Sequence, residues 1–219
     1  MASLVEGEWK NFRFRMAEPT FYPCILEHLH TCVYQDEPLN RIAGDSEVKA
    51  NELDNLAIQY MEENLSFFAI ETNSNKVAGV RIIREMSKDA VSPNMSLIQS
   101  PELQKMIPFI LHLQEEGKVF DTLGVDEIAT LVSVSVEREF RRQGLATEMY
   151  RRSLAMLKTK GYVAVEGYFS SPFARKIATK MGFQQLAISY IGQYENADGE
   201  LVFQDAKPDD YVSLMALKL

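Results

Sequence analysis

Apolar residues follow two different patterns in different segments of the chain. In one, every second residue is apolar, which is typical of strands that bury one face; in the other, apolar residues recur every three or four positions, as in amphipathic helices. The first pattern predicts strands over residues 9–16, 66–72, 76–85, 128–136, 162–168, 184–194 and 211–217. The second predicts helices over residues 20–33, 46–64, 102–116, 142–160 and 171–181.

The residues between these segments predict how the elements are joined. Residues 73–75 form a turn that makes a hairpin of the strands around them. Pro38 disfavours helix at Glu37, so residues 34–42 are predicted to be a loop that ends the preceding helix. The chain has no repeats, low-complexity tracts or linkers. We therefore expect one α/β domain over residues 1–219, with flanking helices and a mixed sheet of about seven strands.

Composition narrows the choice of partners. The chain has 219 residues, of which 46% are hydrophobic, and this is enough for a substantial core. A formal net charge of −8 argues against nucleic acid and anionic membrane surfaces, since both attract basic proteins. No apolar run approaches the roughly 20 residues that span a bilayer, and the first ten residues do not resemble a signal peptide. We expect a cytoplasmic protein that binds neither membrane nor nucleic acid.

Cysteine and histidine spacing gives no indication of a metal or a disulfide. Cys24 and Cys32 lie about two turns apart on one predicted helix, too far for a disulfide, so buried free thiols are expected. The three histidines have no metal-ligand spacing relative to the cysteines, and no metal is expected.

The segment Phe140–Thr147 is the strongest candidate for ligand binding. It follows a predicted strand and leads into a predicted helix, whose first N–H groups are unpaired and carry a partial positive charge. Arg141 and Arg142 add full charges, and Gly144 permits close approach to the backbone. Neither an ATPase phosphate-binding loop nor a G-x-G-x-x-G dinucleotide motif is present. A pyrophosphate-bearing ligand of another kind is indicated.

The pattern Arg141-x-x-Gly144-x-Ala146 resembles the acetyl-CoA motif of the GNAT superfamily of N-acetyltransferases. The ending Met181-Gly182-Phe183 of the following helix is also similar to that family. The resemblance implies acetyl-CoA as cosubstrate, with its pantetheine arm along residues 131–136 in place of a strand. The residues implied to contact the cofactor are Val134, Ser135, Val136, Arg141, Arg142, Gln143, Gly144, Leu145, Ala146 and Thr147.

The segment Asp36-Glu37-Pro38-Leu39 resembles the "DEPL" segment of insect arylalkylamine N-acetyltransferases. That resemblance implies Glu37 as general base and Ser170 as a catalytic hydroxyl. Spacing alone favours a solvated loop acid as the interpretation of Glu37, and a helix N-cap is the alternative role of Ser170. Ala174 stands where the subfamily has a second serine, so this chain lacks that hydroxyl.

The expected function is therefore direct acetyl transfer from acetyl-CoA to a small primary amine in a ternary complex. Arylalkylamines such as dopamine, serotonin or tyramine are the first choice of acceptor. Polyamines such as spermine, spermidine or putrescine remain open, because the chain is acidic and the second serine is missing. A non-catalytic acyl-CoA sensor and an acetyltransferase for protein N-termini or lysines are further alternatives.

Overall fold

The computed structural model of the chain describes residues 5–90 and 94–219. Its strands are β1 (Gly7–Trp9), β2 (Phe12–Met16), β3 (Phe67–Glu71), β4 (Val77–Ser87), β5 (Glu127–Val136), β6 (Ala164–Phe169), β7 (Gln184–Tyr190) and β8 (Tyr211–Lys218). Its α-helices are α1 (Tyr22–Leu29), α2 (Pro38–Ala43), α3 (Glu47–Glu62), α4 (Pro101–Gly117), α5 (Val119–Leu123), α6 (Leu145–Thr159) and α7 (Pro172–Lys180). A π-helical turn, His30–Tyr34, follows α1 directly.

The described strands form one sheet in the order β1-β2-β3-β4-β5-β6-β8-β7. Every neighbouring pair is antiparallel except β5 and β6, which are parallel. A parallel pair needs a crossover connection, and α6 supplies it between these two strands. The predicted α/β domain with a mixed sheet and flanking helices is confirmed.

Helices cover both faces of the sheet, and the alternation along each strand decides which face a side chain enters. In β3, Phe67 and Ala69 join a core cluster that contains Met149 of α6. Phe68, between them, joins the cluster formed with Ile25 of α1. A third cluster packs α2 and α4 against the β7–β8 end of the sheet. The period-two pattern read from the sequence therefore corresponds to two buried faces.

Two element predictions were wrong, for identifiable reasons. The strand predicted over residues 9–16 is a hairpin, because Lys10 adopts a left-handed φ of 52° between β1 and β2. The described sheet has eight strands, in keeping with the expected number of about seven. The loop predicted over residues 34–42 contains helix α2, since a proline in the first turn of a helix gives up no hydrogen bond. Helix α5 was not predicted at all.

The remaining boundaries agree with the predictions to within a few residues. Residues 91–93, between the strand predicted over residues 76–85 and the helix predicted over residues 102–116, lie outside the described chain, as do residues 1–4. Among the described residues, no helix is both long enough and apolar enough to cross a membrane.

Candidate active site

A gap opens in the middle of the sheet where β5 and β6 diverge. Their pairing covers Ala129 and Thr130 of β5, and none is present beyond Thr130 in the described strands. Directly after Thr130, β5 has a β-bulge opposite Ile82 and Ile83 of β4, and Val132 is 41% exposed there. Main-chain groups that lose a strand neighbour need another partner. The gap is therefore a place where an extended ligand can hydrogen-bond to the backbone.

The β5 residues beside the gap have their side chains engaged within the protein. Val134 and Val136 pack on the core cluster that includes α6. Ser135 is buried on the opposite face, where its Oγ lies 2.7 Å from Nε2 of His28. Burial lowers the pKa of His28 to about 4, so the imidazole is neutral at pH 7. A ligand in the gap would meet main-chain rather than side-chain groups of this segment.

Glu37 is held where the chain enters α2. It is the N-cap residue of that helix, with the extended φ of −69° and ψ of 129° that a residue before proline favours. Oε2 of its carboxylate accepts a hydrogen bond from the main-chain N–H of Asn40 at 2.7 Å. This contact fixes one carboxylate oxygen and directs Oε1 toward the end of β6.

Ser170 meets that second oxygen. Its Oγ donates a hydrogen bond to Oε1 of Glu37, although the two residues are 133 positions apart. The helix N-cap role considered for Ser170 is wrong, because the N-cap of α7 is Ser171. Arg175 of α7 donates to the carbonyl oxygen of Ser170 at 2.6 Å and to that of Phe169 at 2.9 Å, which fixes the backbone there. The two residues predicted as catalytic are thus in contact.

The loop before α6 has an unusual backbone at two positions. Arg142 has a φ of 64° and Gly144 a φ of 90°, both in the left-handed region. Gly144 is the N-cap of α6 and provides no side chain to cap it. The N–H groups of the first turn are therefore open to a ligand, as anion binding at a helix N-terminus requires.

The remaining side chains of this loop anchor it or face outward. Leu145 is buried in the core, while Ala146 and Thr147 are half-buried in the first turn of α6. Gln143 is exposed, and its carbonyl oxygen accepts a hydrogen bond from Nζ of Lys10 at 2.7 Å. The loop is thus tied to the turn between β1 and β2 at one point and to the core at another.

Asp36 connects the Glu37 segment to this loop. Its two carboxylate oxygens accept hydrogen bonds from Arg138 and from Arg141, each at 3.0 Å. The Arg141 guanidinium, with Arg138 beside it, holds the pKa of Asp36 below its usual range. Arg141 also donates from Nε to the carbonyl oxygen of Val136 at 2.9 Å. Arg142 is exposed and makes no side-chain hydrogen bond to any described residue, so it is the more available cation of the two.

Lys49 supports α2 from within the protein and was not predicted. The residue is 0% exposed. Its Nζ donates to the carbonyl oxygen of Asn40 at 3.2 Å and to that of Gly44, and lies 3.5 Å from Oδ1 of Asp45. A lysine in the first turn of a helix normally faces solvent, so the sequence alone gave no reason to select it.

A buried acid in β6 also escaped the sequence analysis. Glu166 is 0% exposed, and Oε1 of its carboxylate accepts a hydrogen bond from the hydroxyl of Thr130 at 3.1 Å. Burial raises the pKa of Glu166 to about 7. Burial, together with this neighbouring acid, also raises the pKa of Tyr168, whose hydroxyl has no hydrogen-bond partner among the described residues. The sign of this buried acid in the sequence is a glutamate among the apolar residues of the strand predicted over residues 162–168.

Comparison with known proteins agrees with this geometry. A family model described as "Acetyltransferase (GNAT) family" matches residues 39–183, about two thirds of the chain. The chain belongs to the GNAT acetyltransferase family. The GNAT match includes the loop before α6 and Ser170, and it begins two residues after Glu37. None of the curated proteins compared matches this chain.

Solved structures share the GNAT fold over nearly the whole chain. Arylalkylamine N-acetyltransferase 2 from Aedes aegypti has a TM-score of 0.85 and 21% identity, covering 95% of this chain and 99% of its own. Mosquito arylalkylamine N-acetyltransferase like 5b has a TM-score of 0.86 and 18% identity, covering 95% and 100%. Drosophila melanogaster polyamine N-acetyltransferase, described as forming N-acetylagmatine, has a TM-score of 0.84 and 13% identity, covering 95% and 100%. Because these sequence identities are low, the similarity shows a shared fold and does not identify the amine acceptor.

Proposed function

We propose that this GNAT protein transfers an acetyl group from acetyl-CoA to a small primary amine, with Glu37 as general base. The observation that carries the proposal is the hydrogen bond from Ser170 to the Glu37 carboxylate. It brings a candidate base and a hydroxyl together at the end of β6, the strand that borders the gap in the sheet. Spacing along the sequence does not predict that contact.

The cosubstrate would lie across the gap and the loop before α6. The diverging strands leave β5 main-chain groups for the amides of the pantetheine arm. The pyrophosphate would face the open N–H groups at the start of α6, with Arg142 as a free cation beside them. This arrangement supports a site for acetyl-CoA along Val134–Val136 and Arg141–Thr147.

The chemistry requires a base because the acceptor arrives protonated. A primary amine has a pKa near 10, so only about one molecule in a thousand is neutral at pH 7. The Glu37 carboxylate takes a proton from the amine, and the nitrogen lone pair attacks the thioester carbonyl. The C–S bond then breaks, the nitrogen loses a second proton to give the neutral amide, and the CoA thiolate leaves and takes up a proton. Ser170, which contacts Glu37, would bind the amine or supply that proton.

Arylalkylamines are the acceptors we propose first, and polyamines are the second candidate. The observation that favours polyamines lies at the start of α7. Phe173 is 81% exposed there and Ala174 packs on the core, and neither side chain has a hydroxyl. The second serine of the arylalkylamine pattern is therefore absent in space as well as in sequence.

A thiol-release assay with acetyl-CoA distinguishes the acceptors. Dopamine, serotonin, tyramine, histamine, putrescine and spermine are compared by kcat/KM at one pH. We expect the aromatic amines to rank highest; a higher kcat/KM for putrescine and spermine would assign the protein to polyamines. Tight acetyl-CoA binding without turnover of any amine would support the sensor alternative instead.

Replacement of Ser170 by alanine tests its contact with Glu37. A hydrogen bond to a charged group contributes about 1.5–3 kcal/mol, so we expect kcat to fall about 10- to 100-fold. Ser171→Ala is the matched control, because Ser171 is adjacent and makes no side-chain capping bond. Its kcat should stay within about twofold of wild type, because surface substitutions usually change free energies by no more than about 0.5 kcal/mol. Equal rates for both variants would contradict the role of Ser170.

Replacement of Gly144 by alanine tests the loop before α6. Gly144 and Gly161 have nearly the same left-handed φ, 90° and 93°. Gly161→Ala is therefore a matched control for backbone strain, which is about 1–2 kcal/mol in each case. A Cβ at Gly144 would lie 3.4 Å from Trp9, beside the candidate cofactor loop, whereas one at Gly161 would contact no described residue within 4 Å. Calorimetry should show weaker acetyl-CoA binding for Gly144→Ala only, and equal affinity in both variants would contradict the assignment.

A further inference from the structure

A second cluster of chemically active side chains lies between the π-helical turn and the end of β5. It consists of His28, Cys32 and Glu137, one potential ligand atom from each, all within 4.8 Å of one another. Sγ of Cys32 donates to Oε2 of Glu137 at 3.2 Å. His28 and Cys32 are buried and Glu137 is half-buried. We infer that these three residues bind a Zn²⁺ ion.

The donor set and its spacing suit zinc. Thiolate, imidazole and carboxylate are the three ligand types that Zn²⁺ takes in proteins, at about 2.0–2.3 Å and usually in a tetrahedron. The edges of such a tetrahedron are about 3.5 Å. Sγ of Cys32 and Oε2 of Glu137 already lie 3.2 Å apart, and ligand atoms at the 4.8 Å limit would need to close by about 1 Å. A water molecule would complete the coordination.

The surroundings of the cluster provide supporting contacts. His28 and Cys32 are four residues apart on the continuous α1–π-turn segment, so their side chains share one face of it. On binding, zinc would replace the Ser135 hydroxyl at Nε2 of His28 and the thiol proton of Cys32, which leaves to solvent.

The sequence analysis did not count the four-residue spacing of His28 and Cys32 as ligand spacing, and Glu137 lies 105 residues away from Cys32. A metal there would connect the π-helical turn, which leads to Glu37, with the end of β5, which borders the gap. Metal binding at this cluster can be measured directly, so the proposal can be tested without any activity measurement.

Titration of the purified protein with Co²⁺, a spectroscopic substitute for Zn²⁺, tests the proposal. We expect one equivalent to produce visible bands of a tetrahedral ion and a near-ultraviolet thiolate-to-cobalt band, and Zn²⁺ to abolish both. Cys32→Ser should lose the near-ultraviolet band, whereas Cys24→Ser, a control at the other cysteine, should keep it. Absence of that band in wild type, or its loss only in Cys24→Ser, overturns the site.

Glu137→Gln keeps the test decisive if Cys32→Ser does not fold. This nearly isosteric change removes a carboxylate ligand from a half-buried residue. We expect cobalt affinity to fall at least about tenfold, since even outer-shell partners contribute 10- to 100-fold. His112→Gln, at an exposed histidine outside the cluster, should leave the affinity unchanged. An affinity for Co²⁺ that is the same in Glu137→Gln and wild type would also overturn the site.

Discussion

The Glu37→Gln variant is expected to lose at least about 100-fold in kcat, because general-base catalysis contributes about 10²–10⁴-fold. An amide has nearly the same shape as the carboxylate but cannot accept the amine proton. Its carbonyl oxygen can still accept from the main-chain N–H of Asn40, so α2 should keep its N-cap. Steady-state CoA release gives kcat, and calorimetry should give an acetyl-CoA affinity close to that of wild type.

Glu18→Gln is the matched control for this variant. Glu18 also precedes a proline at the start of a helical turn, has an extended backbone and is exposed. Its side chain makes no capping hydrogen bond. We expect wild-type turnover from Glu18→Gln. A Glu37→Gln enzyme that retained the wild-type rate would remove Glu37 from the mechanism and leave Ser170 without a base to contact.

The Lys49→Met variant is expected to lose about 2–4 kcal/mol of unfolding free energy. The carbonyl oxygens of buried Asn40 and half-buried Gly44 would lose their donor, and an unsatisfied buried group costs about 1–3 kcal/mol. Methionine preserves much of the side-chain volume, so packing is largely maintained. Because these carbonyls lie at the end of α2 and Glu37 at its start, kcat should fall as well.

Urea unfolding measures the stability of this variant, and a midpoint shift at constant slope would report a change in stability alone. Lys105→Met, at an exposed lysine of α4, controls for loss of charge and should leave the midpoint nearly unchanged. A midpoint for Lys49→Met equal to that of Lys105→Met would show that the buried ammonium group does not hold α2.

The sequence predicted the parts of the molecule that depend on local pattern. Strand alternation and helical periodicity fixed the α/β class and most element boundaries. The glycine-bearing turn at Phe140–Thr147 was recognisable because an open helix start and nearby cations lie next to one another in the chain. Helix α2 was missed because proline was interpreted only as a helix breaker, whereas at the first helical position it is well tolerated.

Contacts between distant segments could not be predicted. The Glu37–Ser170 hydrogen bond, the Asp36–Arg141 ion pair and the His28–Cys32–Glu137 cluster each join segments about a hundred residues apart. The burial of Lys49 and Glu166 could not be predicted either, because charged residues are expected to face solvent and only tertiary packing buries them. The sequence therefore indicated which residues carry chemistry, and the fold determined which of them act together.

The most direct test of the proposed function is the stoichiometry of CoA release against N-acetylated amine, measured by mass spectrometry on the wild-type protein with acetyl-CoA and tyramine. Direct transfer predicts that CoA appears only when the amine is present and that one N-acetyltyramine forms for each CoA. Release of CoA at the same rate without amine, or release without N-acetylated product, would contradict the proposed reaction.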